Sequence, residues 1–311
     1  MTSLMLMVTM GCNSECAHCC FACSPNKLSL SMSEDEMVSY IKQVYDYGIR
    51  SVSFTGGEPM LLDLEAPMLL ANDLGMYIDI RTNAFWAKDY KTAFNTLQLL
   101  QFQGLARLGL SYDGYHAKAI PVDNIINILK ASRETYLPVY LDWIGLHSRK
   151  QVLEYLCMNE DELRYVGPTL KIGAATKLSH KHFRYTYTKD LCSECRSEML
   201  LTIFPGGYAS LHPCCWVNPA LIRKIGSNGW MKQLTEEMKD SPMVNFLSEF
   251  GVGGLIDRAQ NECPQLVKPY YSRHCEACYD LLGPLFSEEV QELPEYLKDL
   301  KGDKYEVAQK A

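Results

Sequence analysis

Apolar and polar positions alternate in blocks from the start of the chain to about Ala175. Leu4–Thr9 is an apolar run of strand length. The cysteine-bearing stretch Cys12–Pro25 reads as a loop. Ser33-Glu34-Asp35-Glu36 has the form of a capping box, so a helix is predicted from there to about Tyr47, with Gly48 as its stop. Ser51–Phe54 is the next strand and runs into Gly56-Gly57-Glu58-Pro59. The same alternation predicts a helix around Glu65–Leu74, a strand at Tyr77–Arg81, a helix at Asp89–Gln101 and a strand at Leu105–Ser111. It continues with a helix at Val122–Tyr136, a strand at Val139–Ile144, a helix at Arg149–Met158 and a sixth strand at Leu170–Ile172.

Strands that alternate with helices imply parallel βαβ units. Six units fit between Leu4 and Ala175, too little chain for an eight-unit barrel, which takes about 250 residues. The expected fold is therefore α/β, a partial (β/α)6 barrel over residues 1–175, with its chemistry on the loops at the strand C-terminal ends. No further domain is expected ahead of the first strand. Residues 176–311 read as a C-terminal extension rich in cysteine. It holds a hairpin at Leu200–Leu211 turned by Pro205-Gly206-Gly207, then short helices, then Cys275-Glu276-Ala277-Cys278. The charged tail Glu288–Ala311 reads as peripheral. No internal repeat or low-complexity tract is visible.

Composition adds exclusions. At 47% hydrophobic and 22% charged, the 311 residues describe an ordinary soluble globule. A net charge of -7, with no basic stripe interleaved with aromatics, argues against a nucleic-acid partner. No apolar run reaches the length that spans a bilayer, so no membrane is expected. Met1–Met10 is too short and lacks the basic start of a signal peptide. The expected location is cytoplasmic, where thiols stay reduced. In that setting 13 cysteines, an odd number, point to metal rather than to disulfides.

Cys12-x3-Cys16-x2-Cys19 lies directly after the first strand. Thiolates are soft ligands for iron–sulfur clusters or zinc. Three of them on a four-iron cube leave one iron open to a small molecule. Structural zinc needs a fourth ligand close by, which Cys20 or Cys23 could supply. The second strand ends in Ser53-Phe54-Thr55-Gly56-Gly57-Glu58-Pro59. With both motifs in this order on consecutive strands, the chain resembles the radical S-adenosylmethionine (SAM) superfamily. The resemblance implies a [4Fe-4S] cluster on Cys12, Cys16 and Cys19, with SAM as cosubstrate chelating the open iron. Gly56, Gly57 and Glu58 would hold the methionine end of SAM. One electron from the cluster then cleaves SAM to a 5′-deoxyadenosyl radical. Asn83, Ser111 and Asp113, at the ends of the third and fourth strands, stand where the family contacts SAM. Gly173-Ala174-Ala175 stands similarly after the sixth. Each also reads as a turn or cap residue. His18 is expected to pack near the adenine.

Seven more cysteines fall in the last third: Cys192, Cys195, Cys214, Cys215, Cys263, Cys275 and Cys278. They point to a second metal site, either structural zinc or an auxiliary cluster. In an extended segment, adjacent side chains face opposite ways. One of Cys214-Cys215 can therefore ligate metal while the other presents a thiol to a cavity. Further words narrow the likeness: Cys16-Ala-His18-Cys19-Cys20-Phe21, Thr82-Asn83-Ala-Phe85-Trp86, Ser111-Tyr112-Asp113-Gly-Tyr115-His116 and Pro213-Cys214-Cys215. They resemble the radical SAM peptide epimerases that make epipeptides. That resemblance implies α-hydrogen abstraction from an L-residue of a ribosomally made precursor peptide and hydrogen return from Cys215. It implies an auxiliary [4Fe-4S] cluster on Cys195, Cys214, Cys275 and Cys278, with Cys192 and Cys263 as alternates, and an electron donor such as flavodoxin or ferredoxin. Cys23 and Cys157 have no role in that pattern. Thioether or carbon–carbon crosslinking of the peptide is the nearest rival reaction, and a zinc-bound, non-catalytic protein the bland one.

Overall fold

A computed structural model describes residues 3–191, 200–212, 218–226, 228–298 and 300. The chain opens with β1 (Ser3–Thr9), α1 (Glu34–Asp46), β2 (Ser51–Gly56), α2 (Glu65–Asp73), β3 (Tyr77–Thr82) and α3 (Tyr90–Phe102). It continues with β4 (Leu105–Ser111), α4 (Val122–Thr135), β5 (Val139–Ile144), α5 (Arg149–Leu156) and β6 (Leu163–Gly167). The predicted capping box is present. The Glu36 N–H donates to Ser33 Oγ at 3.3 Å, and the Ser33 N–H donates to a Glu36 carboxylate oxygen at 2.8 Å.

β1 to β6 pair in chain order, every pair parallel. After the two-residue strand β7 (Thr186–Tyr187), the hairpin β8 (Leu200–Phe204) and β9 (Tyr208–His212) adds to the free edge of β1, with β8 parallel to it. Gly206 and Gly207 turn this hairpin at positive φ, 79° and 75°. β10 (Ile222–Lys224) completes a nine-stranded sheet in the order β10-β9-β8-β1-β2-β3-β4-β5-β6. Three helices follow: α6 (Trp230–Asp240), α7 (Pro242–Glu262), broken at Gly251, and, after β11 (Tyr270–Tyr271), α8 (His274–Leu285). A last short helix, α9, spans Glu295–Lys298. Among the described residues no helix is long and apolar enough to cross a membrane.

Side chains alternate across a strand, and the two faces of this sheet differ sharply. Leu4, Leu6, Val52, Phe54, Ile78, Ile80, Leu108, Leu110 and Leu141 share the main core with Met37, Ile41 and Val44 of α1, Leu97 of α3 and Ile128 of α4. The opposite face is apolar only around β1 and β8. There Met7, Met10, Phe204 and Ile222 pack with Leu293, Leu297 and Leu300, and with Cys12 and Cys23.

Two sequence expectations are corrected. The sixth strand is Leu163–Gly167, not Leu170–Ile172. Asn159 and Glu162 form a capping box that turns the chain into β6, which pairs with β5 from Leu163 onward. Leu170 and Ile172 are apolar for another reason: they pack beneath Cys20 and against Cys275. The tail is not peripheral as far as Leu300. Its three leucines are buried, and the Tyr296 hydroxyl donates to the Pro205 carbonyl across the hairpin turn. The Leu297→Ala variant is expected to lower stability by about 2 to 5 kcal/mol in denaturant unfolding. A loss below about 0.5 kcal/mol, the range of surface substitutions, contradicts this packing.

Candidate active site

The three-cysteine loop is fastened by backbone. At the end of β2 the Gly57 N–H donates to the Thr9 carbonyl at 2.7 Å, and the Glu58 N–H to the Gly11 carbonyl at 2.9 Å. This approach excludes side chains. A Cβ on Gly57 would lie 1.9 Å from the Gly11 oxygen, and Gly56 sits at φ 137°, where a Cβ would meet the Thr9 oxygen at 2.3 Å. On the far side, Gly173 lets a second loop close on the first: a Cβ there would lie 2.4 Å from the Cys20 oxygen. The Ala174 N–H donates to the Cys19 carbonyl at 3.0 Å.

Glu58 is fully buried and joins three strand ends. Its carboxylate accepts from the Thr82 hydroxyl at 2.8 Å, the Asn83 N–H at 2.7 Å and the Met60 N–H at 3.0 Å. Burial pushes the carboxyl up to about 7, against those three donors. Its side chain is thus committed to protein partners, and what the Gly56–Glu58 segment offers a ligand is backbone. Asn83, placed by that contact, donates to Asn13 Oδ1 at 2.8 Å and reaches the Cys12 sulfur at 3.7 Å.

Each cysteine has its own surroundings. The Cys12 thiol is pushed up to about 12 by burial, offset in part by the Ser14 N–H at 3.4 Å. Cys19 receives the Cys23 N–H at 3.4 Å, and the Cys23 thiol lies beside it. That thiol is the main reason the Cys19 thiol is lowered to about 6. Cys23, which the sequence offered only as a possible fourth ligand for zinc, thus backs the Cys19 sulfur. N–H···S contacts of this kind tune iron–sulfur sites.

Asp113 is likewise committed. Its Oδ1 accepts from the Tyr115 N–H at 2.7 Å and the His116 N–H at 3.1 Å. Its Oδ2 lies 3.1 Å from both His18 Nε2 and His116 Nδ1. Burial alone would raise Asp113, but the two imidazoles outweigh it and hold the carboxyl well below the usual carboxylate range. Burial opposes the charge on His116, yet Asp113 and Cys16 push it up to about 10. The three ligand atoms lie within 4.8 Å of one another, close enough for one metal ion. Protonated His116 already balances the carboxylate, so the trio stands as a His–Asp–His bridge between the cysteine loop and the end of β4. His18 stacks on Tyr115 with ring centroids 4.3 Å apart. Ser111 is half-buried at the tip of β4. Asn13 was not singled out from the sequence, and His116 and Cys23 entered only within a motif and as a possible zinc ligand, because polar residues in loops read as turns until a partner is known.

Three soft thiolates, a glycine cradle free of side chains, and the buried, unpartnered Ser14 Oγ and His18 Nδ1 fit a SAM-binding [4Fe-4S] cluster. In the C-terminal region, Cys275 is buried and Cys278 half-buried on the first turns of α8, where the helix N-terminus favours thiolates. Asn218 Nδ2 donates to the Cys278 carbonyl at 3.0 Å and reaches its sulfur at 3.5 Å. Cys263 packs half-buried at the end of α7, and Cys157 is exposed at the end of α5. Cys192, Cys195, Cys214 and Cys215 lie outside the described residues.

Residues 6–154 carry a Radical SAM superfamily domain. That family implies a [4Fe-4S] cluster and SAM. Over 320 aligned residues the chain is 23% identical to YydG of Bacillus subtilis (strain 168), a protein named for peptide biosynthesis, covering 95% of this chain and 96% of that one. A GTP 3',8-cyclase of Campylobacter jejuni subsp. doylei is 30% identical over 174 residues, 51% of this chain and 49% of that one. In fold, the chain is similar to native anSMEcpe with bound AdoMet and Kp18Cys peptide, at a TM-score of 0.57 over 93% of this chain and 98% of that one. At 15% identity that is a likeness of fold alone.

The raised Glu58 fixes a sign. Its protonated form is favoured in the folded state, so its contribution to stability is full below the ordinary 4.5 and is lost as pH rises through about 7. Glu58→Gln is expected to cost about 1 to 3 kcal/mol through mismatched donors and to flatten the fall in apo-protein stability across that window. An unchanged pH profile contradicts the assignment.

Proposed function

We propose that this chain is a radical SAM enzyme that converts L-residues of a ribosomally made precursor peptide to D-residues. The end-to-end match to a peptide-biosynthesis protein supports a peptide substrate. One contact carries the finer reading. Asn218, three residues past Cys215, is hydrogen-bonded to Cys278. Asn218 is thus held against the Cys275-Cys278 helix. Cys275 in turn packs on Leu170 and Ile172 against Cys20 of the first loop. This supports an auxiliary [4Fe-4S] cluster on Cys195, Cys214, Cys275 and Cys278, close behind the SAM site.

When bound, the first cluster supplies the one-electron cleavage of SAM that removes an α-hydrogen from the peptide. Cys12, Cys16 and Cys19 hold it. The Gly56-Gly57 backbone, Asn83 and the tip of β4 at Ser111 shape the cleft beside it, and the Asp113 bridge fixes His18 over the loop. Cys215 Sγ–H gives its hydrogen to the α-carbon from the opposite face. Its S–H bond breaks as the new C–H bond forms, and the sulfur regains an electron and a proton from a flavodoxin- or ferredoxin-type donor.

Turnover in heavy water on a candidate precursor peptide, such as one encoded by any short open reading frame found next to the gene, tests the reading. Each inverted residue is expected to gain one deuterium with no other change in mass. Cys215→Ala is expected to cleave SAM but yield no D-residue, and Cys12→Ala to cleave none. Loss of two hydrogens per event would mark crosslinking instead, and D-residues from Cys215→Ala would remove that cysteine as donor.

A further inference from the structure

The face of β3–β6 turned away from α1–α5 is charged where the same face of β1 is apolar. Asp79 and Arg81 on β3, Arg107 on β4, Tyr140 and Asp142 on β5 and Arg164 on β6 form one assembly. The Tyr140 hydroxyl donates to Asp79 at 3.0 Å, and its ring lies under three guanidinium groups, with Arg164 at 4.3 Å, Arg107 at 4.5 Å and Arg81 at 5.8 Å from the centroid. Asp79 also meets Arg107 at 3.4 Å. Asp142 meets Arg81 at 3.4 Å and accepts from Arg164 with both oxygens. Gly109 makes room for this stack, since a Cβ there would lie 2.5 Å from the Tyr140 hydroxyl.

The charges are unequally exposed. The Asp79 and Asp142 side chains keep 6% and 18% of their surface, whereas Arg81, Arg107 and Arg164 keep 35%, 37% and 39%. Three cations face solvent over two covered anions, in a chain whose net charge is -7. Ordinary packing does not require this arrangement, because a solvated sheet face is as well served by mixed signs or by Ser and Thr. The aromatic stack also fixes the guanidinium planes before any ligand arrives, which lowers the entropy cost of a bidentate contact.

Position gives the patch its meaning. Asp79, Arg81 and Asn83 alternate onto one face of β3 and its end, and Asn83 reaches the Cys12 sulfur. Arg81 thus stands two residues below the cluster loop, roughly 7 Å at strand rise. A peptide whose target residue lies beside the three-cysteine loop would carry its neighbouring residues within reach of this patch. We propose that Arg81, Arg107 and Arg164 bind the carboxylates of an acidic segment flanking the modified residue of the substrate peptide. This rests on the peptide-modifying function proposed above and adds a chemical class of substrate to it.

The test uses the full chain with its clusters reconstituted. The probes are a fluorescein-labelled peptide alternating glutamate with glycine, its glutamine–glycine counterpart, and GTP as a non-peptide polyanion. Fluorescence anisotropy is expected to show the glutamate peptide binding roughly tenfold tighter than the glutamine one at low salt, with the advantage fading as salt rises. GTP is expected to compete poorly. Arg107→Gln and Arg164→Gln should each abolish most of the advantage, Arg107→Lys should keep part of it, and Arg258→Gln on α7 should leave it unchanged. Equal binding of the two peptides by the unaltered protein overturns the inference without reference to any variant, as does effective displacement by GTP. Deuterium uptake in heavy water reads the chemistry separately. Salt-sensitive acidic binding without uptake leaves this site standing and removes the epimerase reading, while uptake with no preference for acidic peptide does the reverse.

Discussion

Two backbone hydrogen bonds, from Gly57 to Thr9 and from Glu58 to Gly11, sew the first loop of the sheet to the second. They need a distance that no Cβ permits at Gly57. The gain from two bonds of this kind is about 1 kcal/mol each, but their consequence is geometric. They set Cys12 and the loop after it over the parallel sheet edge, and they bury Glu58 where its carboxylate can draw in Thr82 and Asn83. Asn83 then closes the circle by returning to Asn13 and Cys12. Three strand ends are thereby held as one unit before any cofactor arrives, which is the preorganisation that a cofactor site needs.

The rest of the molecule braces that unit from outside. The Asp113 bridge pins the cysteine loop to the end of β4 through His18 and His116. Gly173 and Ala174 pin it to the segment after β6. Leu293, Leu297 and Leu300 come from the far end of the chain to cover Met7, Met10 and the buried side of Cys12 and Cys23. A substitution in the tail therefore acts on the cluster loop through packing, and it is expected to change stability and cofactor retention together.

Much of this was legible in the sequence wherever a local rule decides structure. The apolar runs of β1 to β5, the Ser33 capping box and the Gly206-Gly207 turn need only neighbouring residues to be read. What failed depends on distant partners. Leu170–Ile172 looks like a strand because two apolar residues either side of Lys171 do not reveal whether they pair with a sheet or pack under a loop. β6 was missed because Arg164 and Tyr165 break its apolar pattern, their partners being Asp142 and Arg273 on other elements. The tail leucines are spaced by charged residues and find their core only through residues far away in sequence, among them Met7, Met10, Phe204 and Ile222. Glu58 and Asp113 were found as residues, yet the structure turns their carboxylates toward protein partners, a distinction that composition and motif do not carry.

The central claim is that the loop holding Cys12, Cys16 and Cys19 carries a four-iron cluster with one metal corner free for SAM. Electron paramagnetic resonance of the reconstituted, reduced protein tests it most directly, recorded before and after adding SAM. A [4Fe-4S]+ signal whose g-values shift on addition of SAM is the predicted result, because the cosubstrate then enters the coordination of one iron. A signal that SAM leaves unmoved, or a colourless protein that has filled the loop with zinc, contradicts it.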